Sequence, residues 1–98
     1  MSYSRWSETV LDAEGREYRI AYIGTPDGSN AVAICRRNPW GDVTGGATLT
    51  EGHVYPDGRL DLPGQGPWDL KKVILLSRYW CVAFSIFKQT GRFPNIIP

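Results

Sequence analysis

The sequence predicts an α+β domain in which a small antiparallel β-meander packs against one long C-terminal α-helix. In the first half of the chain, apolar-rich segments alternate with turns that contain Gly and Pro. From Pro67 onward the pattern changes to helical spacing of apolar residues, and no turn signal interrupts them before Gly91. A chain of 98 residues is long enough for one domain, so we expect residues 1–98 to fold as a single unit.

The elements of the meander follow from the order of strand and turn signals. "WSETVLD" and "EYRIAYIG" flank "AEGR" and predict a hairpin, with Gly15 as a turn residue. "TPDGSN" predicts a second turn, and "AVAICRR" a short apolar strand after it. Beyond the Gly-rich connection "NPWGDVTGG", the segment "ATLTEGHVY" is the next predicted strand, and "YPDGRL" turns the chain again.

The C-terminal segment predicts a helix of about 22 residues. Pro67 suits a first helical turn, and Asp69 is placed where the helix dipole favours a negative charge. Gly91 is the expected left-handed cap, and Pro94 prevents continuation. One face of this helix is apolar at helical spacing and comprises Leu70, Val73, Ile74, Ser77, Trp80, Cys81, Phe84 and Phe87.

The same helix is apolar on a second side, through Leu75, Leu76, Tyr79, Val82, Ala83 and Ile86. A small sheet cannot cover the whole circumference of one helix, so either the C-terminal "FPNIIP" or a partner covers this side. We favour a partner. Tyr79, Val82 and Ile86 are therefore candidate binding residues, and an identical subunit is one candidate occupant.

Composition excludes several classes of function. Eleven Lys and Arg against ten Asp and Glu give a net charge of +1, which favours neither nucleic acid nor an acidic membrane. Cys35 and Cys81 have apolar neighbours and no metal spacing, so we expect buried free thiols rather than a disulfide or a reactive thiol. No phosphate-loop, zinc, haem or catalytic-triad motif is present, and we expect no cofactor or metal. The first residues have no apolar signal-peptide core and no apolar run is long enough to span a bilayer, so we expect a cytoplasmic protein.

The segment "HVYPDGRLDL", residues 53–62, carries the most specific pattern in the chain. With the Trp80-containing helix and its "TGRFP" ending, it resembles the bacterial relatives of ubiquitin-conjugating enzymes, whose motifs read H-x-Y-x-D-G-x-L-C-L and T-G-x-W-P. The resemblance covers roughly residues 18–94. It implies the conjugating-enzyme fold and, in the family, a cysteine that holds a modifier protein as a thioester.

Asp61 occupies the position that the resemblance assigns to this cysteine. A carboxylate cannot form a thioester, and an acyl-aspartate would hydrolyse readily. We expect Leu60 and Leu62 to face the core and residue 61 to point outward between them. Asp61 is then a solvated carboxylate, a contact to a Lys or Arg of a partner, or a general base with His53, which only the turn could bring near it.

The other motif residues allow two interpretations each. His53 is expected to brace the loop rather than to catalyse, and Tyr55 and Trp68 form either the floor of the loop or the wall of a binding groove. Arg36, Arg37 and Trp40 could stack on nucleic acid, but a solvated strand end explains them better. The residues that we expect to bind a partner at the loop are Tyr55, Asp57, Arg59, Asp61 and Trp68.

The function expected from the resemblance is protein binding without catalysis. The family's bacterial members are associated with ubiquitin-like conjugation, several of them in antiphage defence, and the implied partners are a ubiquitin-like modifier and an activating-enzyme-like protein. One alternative is an active conjugating enzyme that uses Cys81 or a cysteine of a partner. Another is an unrelated nucleic-acid or small-ligand binder of the same architecture.

Overall fold

The chain forms a three-stranded antiparallel sheet packed against one long helix, which confirms the predicted α+β class. The structure is a computed structural model, and it describes residues 4–41, 44–47, 49–63 and 66–94. The strands are β1 (Ser4–Leu11), β2 (Glu17–Gly24) and β3 (Ala31–Arg37), in the order β1-β2-β3. A short helix α1 (Leu49–Gly52) and the long helix α2 (Leu70–Thr90) follow.

The two hairpins are closed by the turns that the sequence predicts. Between β1 and β2, which meet at the pair Leu11 and Glu17, Gly15 has a φ of 81° and donates its N–H to the Asp12 carbonyl at 3.1 Å. Glycine reaches this left-handed conformation without the steric penalty of a Cβ. Between β2 and β3, the Asp27 carboxylate accepts hydrogen bonds from Thr25 and Ser29 inside the "TPDGSN" turn.

The core lies between one face of the sheet and α2. Side chains alternate along a strand, so Tyr18, Ile20 and Tyr22 of β2 all point toward the helix and are buried. From the helix, Trp80 meets Tyr18 edge to face, with ring centroids 5.8 Å apart. The predicted inner stripe of α2 is confirmed, because Val73, Ser77, Trp80, Cys81 and Phe84 are buried and Leu70, Ile74 and Phe87 pack against the core.

Both ends of α2 are capped by side chain or backbone. Asp69 is the N-cap, and its carboxylate accepts the Lys72 N–H at 2.9 Å. Gly91 is the predicted left-handed cap, with a φ of 81° and its N–H bonded to the Phe87 carbonyl. The expectation that Pro67 lies in the first helical turn is wrong: the helix begins at Leu70, because Asp69 supplies the cap and remains extended.

The prediction of a strand over "ATLTEGHVY" is also wrong. The chain forms α1 at Leu49–Gly52, and Val54 makes an isolated bridge to Leu60. Two features prevent a strand. His53 has a positive φ of 55°, which breaks the extended path, and Gly52 approaches Phe84 so closely that a Cβ would lie 2.7 Å from its ring.

Polar contacts join β1 to α2 at two levels. Near the middle of the helix, Arg78 makes a two-pronged ion pair with Glu8 of β1, at 2.9 and 3.1 Å. Near its end, Ser85 donates to the Asp12 carboxylate at 2.6 Å and shares a hydrogen bond with the Tyr18 hydroxyl. Trp40 extends this buried chain by donating its indole N–H to Tyr18 at 3.1 Å.

Within the described ranges, no helix has the length and apolar character that crossing a bilayer requires.

Candidate functional site

The "YPDG" segment forms the tight turn that the motif predicts. The Gly58 N–H bonds to the Tyr55 carbonyl at 2.8 Å, which places Pro56 and Asp57 at the two central positions of the turn. The Asp57 carboxylate accepts the Arg59 N–H at 3.0 Å, and Gly58 has a φ of 92°. Backbone and side chain therefore both hold this turn, as is common where Asp precedes Gly.

The arm after the turn is attached to the outer edge of β3. Leu60 donates its N–H to the Ala33 carbonyl at 2.9 Å, and the Gly58 carbonyl accepts the Cys35 N–H at 2.7 Å. Leu60 and Leu62 are buried, whereas the Asp61 side chain is 43% exposed. This is the arrangement expected from the motif, with residue 61 presented outward from a fixed, extended backbone.

His53 and Asp61 lie side by side at the base of the hairpin. The Asp61 N–H bonds to the His53 carbonyl at 2.9 Å, and the His53 Nδ1 lies 3.7 Å from Asp61 Oδ2. The hairpin thus brings together two residues that an extended chain would separate. Both side chains are nearly half exposed, so water solvates the pair.

The environment of His53 supports its predicted bracing role. The backbone of His53 stays in the left-handed region, and its ring packs on Phe93 with centroids 4.5 Å apart. The next residue back, Gly52, accepts the Trp80 indole N–H at 2.8 Å. The hairpin is therefore anchored at its base both to the helix and to the segment that follows the helix. The pattern of the sequence did not indicate the contact with Phe93, because the two residues are remote in the chain and no local spacing links them.

Tyr55 and Trp68 each hold a cation over an aromatic ring. The Arg59 guanidinium lies 4.2 Å from the centroid of Tyr55, and the Lys72 ammonium lies 5.0 Å from the centroid of Trp68. Trp68 also packs against the core, and its carbonyl accepts the Ala31 N–H. Trp68 is thus part of the floor, whereas Asp57 and Arg59 are exposed, and Tyr55 and Asp61 partly exposed, on the hairpin.

The two thiols are enclosed in the core, as predicted. Cys35 and Cys81 are free and have no exposed surface. Burial raises the pKa of Cys35 to about 12, and burial also raises the pKa of Cys81. Since the thiolate is the nucleophile, neither sulfur has the exposure or the ionisation that a bulky protein substrate would need.

A second surface lies on the outer face of α2. Leu75, Tyr79 and Ile86 are 68%, 40% and 39% exposed, and Val82 lies half-buried between them. These side chains line an open groove of about 480 Å³, together with Arg78, Ala83 and Pro94. The predicted patch of Tyr79, Val82 and Ile86 is therefore at the surface, with Leu75 as a further member. Residues 95–98 of the "FPNIIP" segment lie outside the described residues.

The predicted basic and aromatic cluster does not come together. Arg36 and Arg37 are exposed at the end of β3, while Trp40 is partly buried and carries Arg16 over its ring at 4.9 Å. Trp40 thus packs with the β1–β2 turn rather than forming a stacking platform beside Arg36 and Arg37. In the part of the chain that the structure describes, no three His, Cys, Asp or Glu side chains are grouped as metal ligands.

No protein-family model, no curated protein and no solved structure matches this chain. The likeness to ubiquitin-conjugating enzymes therefore stays a prediction from the motif of residues 53–62 and the helix that follows it.

Proposed function

We propose that this chain is a ubiquitin-conjugating-enzyme-like protein without catalytic activity, which binds protein partners in a bacterial ubiquitin-like conjugation or antiphage defence pathway. One observation carries the proposal: Asp61 is presented to solvent between two buried leucines, at the base of a hairpin that backbone hydrogen bonds hold in place. In an active enzyme of this family, that position would hold the thioester. The proposed partners are a ubiquitin-like modifier and an activating-enzyme-like protein.

The side chain at position 61, rather than the geometry of the hairpin, favours binding over transfer. A thioester-forming cysteine needs an exposed, extended backbone that a large acyl donor can approach, and residue 61 has both properties. The side chain present is a carboxylate, which attracts Lys or Arg but forms no stable acyl intermediate. The buried, protonated state of Cys81 argues against its use as a substitute nucleophile.

The contacts of the hairpin suggest where a partner would bind. The Tyr55 ring, over which Arg59 lies, offers an aromatic surface beside the carboxylates of Asp57 and Asp61. Both the turn and its arms are fixed by backbone hydrogen bonds, so little conformational entropy is lost when a partner binds. The outer face of α2 is a second contact surface in this proposal, for one of these partners or for a second copy of the chain.

Asp61→Cys tests the proposal directly. Incubated with ATP, a bacterial ubiquitin-like modifier and its activating enzyme, the variant should form a modifier adduct that a reducing agent cleaves, because the exposed backbone at position 61 then presents a thiol. Electrophoresis without reducing agent measures the adduct. Val32→Cys is the matched control, because residue 32 is 39% exposed on β3 and lies outside the proposed contact surface.

Three results would contradict the proposal. The first is that Asp61→Cys stays uncharged although the activating enzyme carries the modifier, and the second is that Val32→Cys is charged equally well. Either result removes the assignment of position 61. A cleavable adduct on the unmodified chain would show that conjugating activity survives, and Cys81→Ser would then identify the thiol.

A further inference from the structure

The outer face of α2 presents apolar side chains in a regular order. Leu75, Tyr79, Val82 and Ile86, here called the outer stripe, are separated by four, three and four residues. Among the described residues only Pro94 approaches from outside the helix, at one end of the groove. An apolar surface of this kind on a small domain marks a site of interaction.

The spacing of the outer stripe indicates the shape of its occupant. Alternating steps of three and four residues keep side chains in line along a helix, and this is the seam at which two helices pack in a coiled coil. The stripe extends over about 16 Å of helix axis at 1.5 Å per residue. An amphipathic helix laid along α2 fits this surface, with its own side chains entering between Leu75, Tyr79 and Ile86.

The charges beside the outer stripe indicate the chemistry of that helix. From Leu70 to Thr90, α2 carries Lys71, Lys72, Arg78 and Lys88 and no acidic residue. Arg78 is already paired with Glu8, and Lys88 bonds to the Gly45 carbonyl. Lys71 and Lys72 are exposed on either flank of the stripe at its N-terminal end, one turn before Leu75. The Lys72 ammonium lies over the Trp68 ring, a contact that leaves its positive charge in place. Acidic side chains of a partner would complement the positive charge at this end of the helix.

A second copy of the chain fits the surface less well. If α2 packed along α2 of another copy, neither helix would offer a carboxylate to the lysines of the other, in either direction. The surface suits a partner of opposite charge.

We propose that the outer stripe binds an amphipathic helix of a partner protein, with Asp or Glu residues of that helix placed against Lys71 and Lys72. The inference builds on a protein-binding role but depends on neither conjugation nor Asp61. The hairpin and the outer stripe lie on different elements, so loss of one function leaves the other measurable.

Two synthetic helical peptides of about 20 residues serve as probes. Both carry Leu at the three-and-four spacing, and one has Glu at the flanking positions where the other has Lys. With the whole chain, fluorescence anisotropy should show at least tenfold tighter binding of the Glu peptide. Leu75→Asp should weaken that binding at least tenfold, whereas Leu11→Asp, which changes a similarly exposed leucine at the end of β1, should leave it unchanged.

Reversing the charge of the two lysines distinguishes electrostatic recognition from hydrophobic contact alone. Lys71→Glu combined with Lys72→Glu should reverse the preference, so that the Lys peptide binds more tightly than the Glu peptide. Equal binding of the two peptides to the unmodified chain, or binding of neither, would overturn the proposal. So would dimerisation in sedimentation that Leu75→Asp abolishes, or binding to anionic lipid vesicles without binding to the Glu peptide. None of these measurements depends on whether the Asp61→Cys variant forms an adduct with a modifier.

Discussion

At the scale of single residues, α2 contains two buried serines in opposite situations. Ser85 donates to Asp12 and shares a hydrogen bond with Tyr18, so its hydroxyl is fully used. Ser77 has no exposed surface, and its hydroxyl has no hydrogen-bond partner among the described residues. A buried hydroxyl without a partner costs free energy, because it gives up its bonds to water and gains none in return.

Ser77→Ala should therefore stabilise the protein. Removing the unpaired hydroxyl relieves its desolvation cost, and Ala also favours the helix, so we expect the free energy of unfolding to rise by about 1 kcal/mol. Urea denaturation followed by circular dichroism measures the change. Ser85→Ala is the matched control on the same helix. It should lower the stability by about 2 kcal/mol, since Asp12 and Tyr18 then lose a partner. A destabilised Ser77→Ala would mean that the hydroxyl is bonded after all.

The exposure of Asp61 and the burial of the two thiols could be predicted at this scale, because each follows from a simple sequence rule. Alternation along an extended segment places Leu60 and Leu62 inside and Asp61 outside, and apolar neighbours place Cys35 and Cys81 in the core. The pairing of His53 with Asp61 was expected only through the turn, and the turn does bring them to 3.7 Å. The contact between His53 and Phe93 depends on the tertiary fold, and no sequence spacing encodes it.

At the scale of elements, the sequence predicts the three strands and the long helix, but not α1. Alternating apolar residues and Gly-containing turns determine β1, β2 and β3, and strong caps determine α2. In the segment 47–55, apolar and β-branched residues favour a strand by propensity. Tertiary packing overrides this preference, because the backbone at Gly52 lies against Phe84 and its carbonyl accepts the Trp80 indole N–H.

Gly52→Ala tests whether this close approach determines the path of α1. A Cβ at residue 52 would lie 2.7 Å from both the Ala47 Cβ and the Phe84 ring, so a core ring must move, and we expect a loss of about 2 kcal/mol in the free energy of unfolding. Thermal or urea unfolding measures the loss. Gly24→Ala is the control, because a Cβ there meets its nearest neighbour at 3.4 Å and should cost less than half as much. Equal losses for both variants would remove the special role of Gly52.

At the scale of the whole molecule, one buried carboxylate connects three parts of the fold. Asp12 receives hydrogen bonds from Ser85 of α2 and from Arg16 in the β1–β2 turn, and its side chain is only 1% exposed. Through Ser85 the network continues to Tyr18 and Trp40. Burial alone raises the pKa of Asp12, but the hydrogen bonds from Ser85 and Arg16 outweigh it and hold that pKa at about 2.

This carboxylate makes the stability of the protein depend on pH in acid. The folded-state pKa of Asp12 is below its unfolded value of about 3.9, so the stabilisation is fully present above pH 4. It is lost as the pH falls toward 2, where the carboxylate is protonated in the folded state as well. We expect a contribution of about 1 to 2 kcal/mol, measured as the change in urea midpoint between pH 6 and pH 2.5.

Asp12→Asn separates this contribution from that of the other carboxylates. The amide keeps the size of the side chain but cannot titrate, so the variant should be less stable at pH 6 and should lose less stability than the unmodified chain on acidification.

Asp27 provides the comparison, because its pKa is also about 2 but its bonds to Ser29 and Thr25 stay within one exposed turn. Asp27→Asn should remove a smaller part of the pH dependence, since hydrogen bonds between such near neighbours in the chain form in part in the unfolded state as well and lower the pKa there too. If Asp12→Asn keeps the full acid sensitivity, the network at Asp12 does not control it, and the ion pair of Glu8 with Arg78 is the remaining carboxylate contact between β1 and α2 in the described ranges.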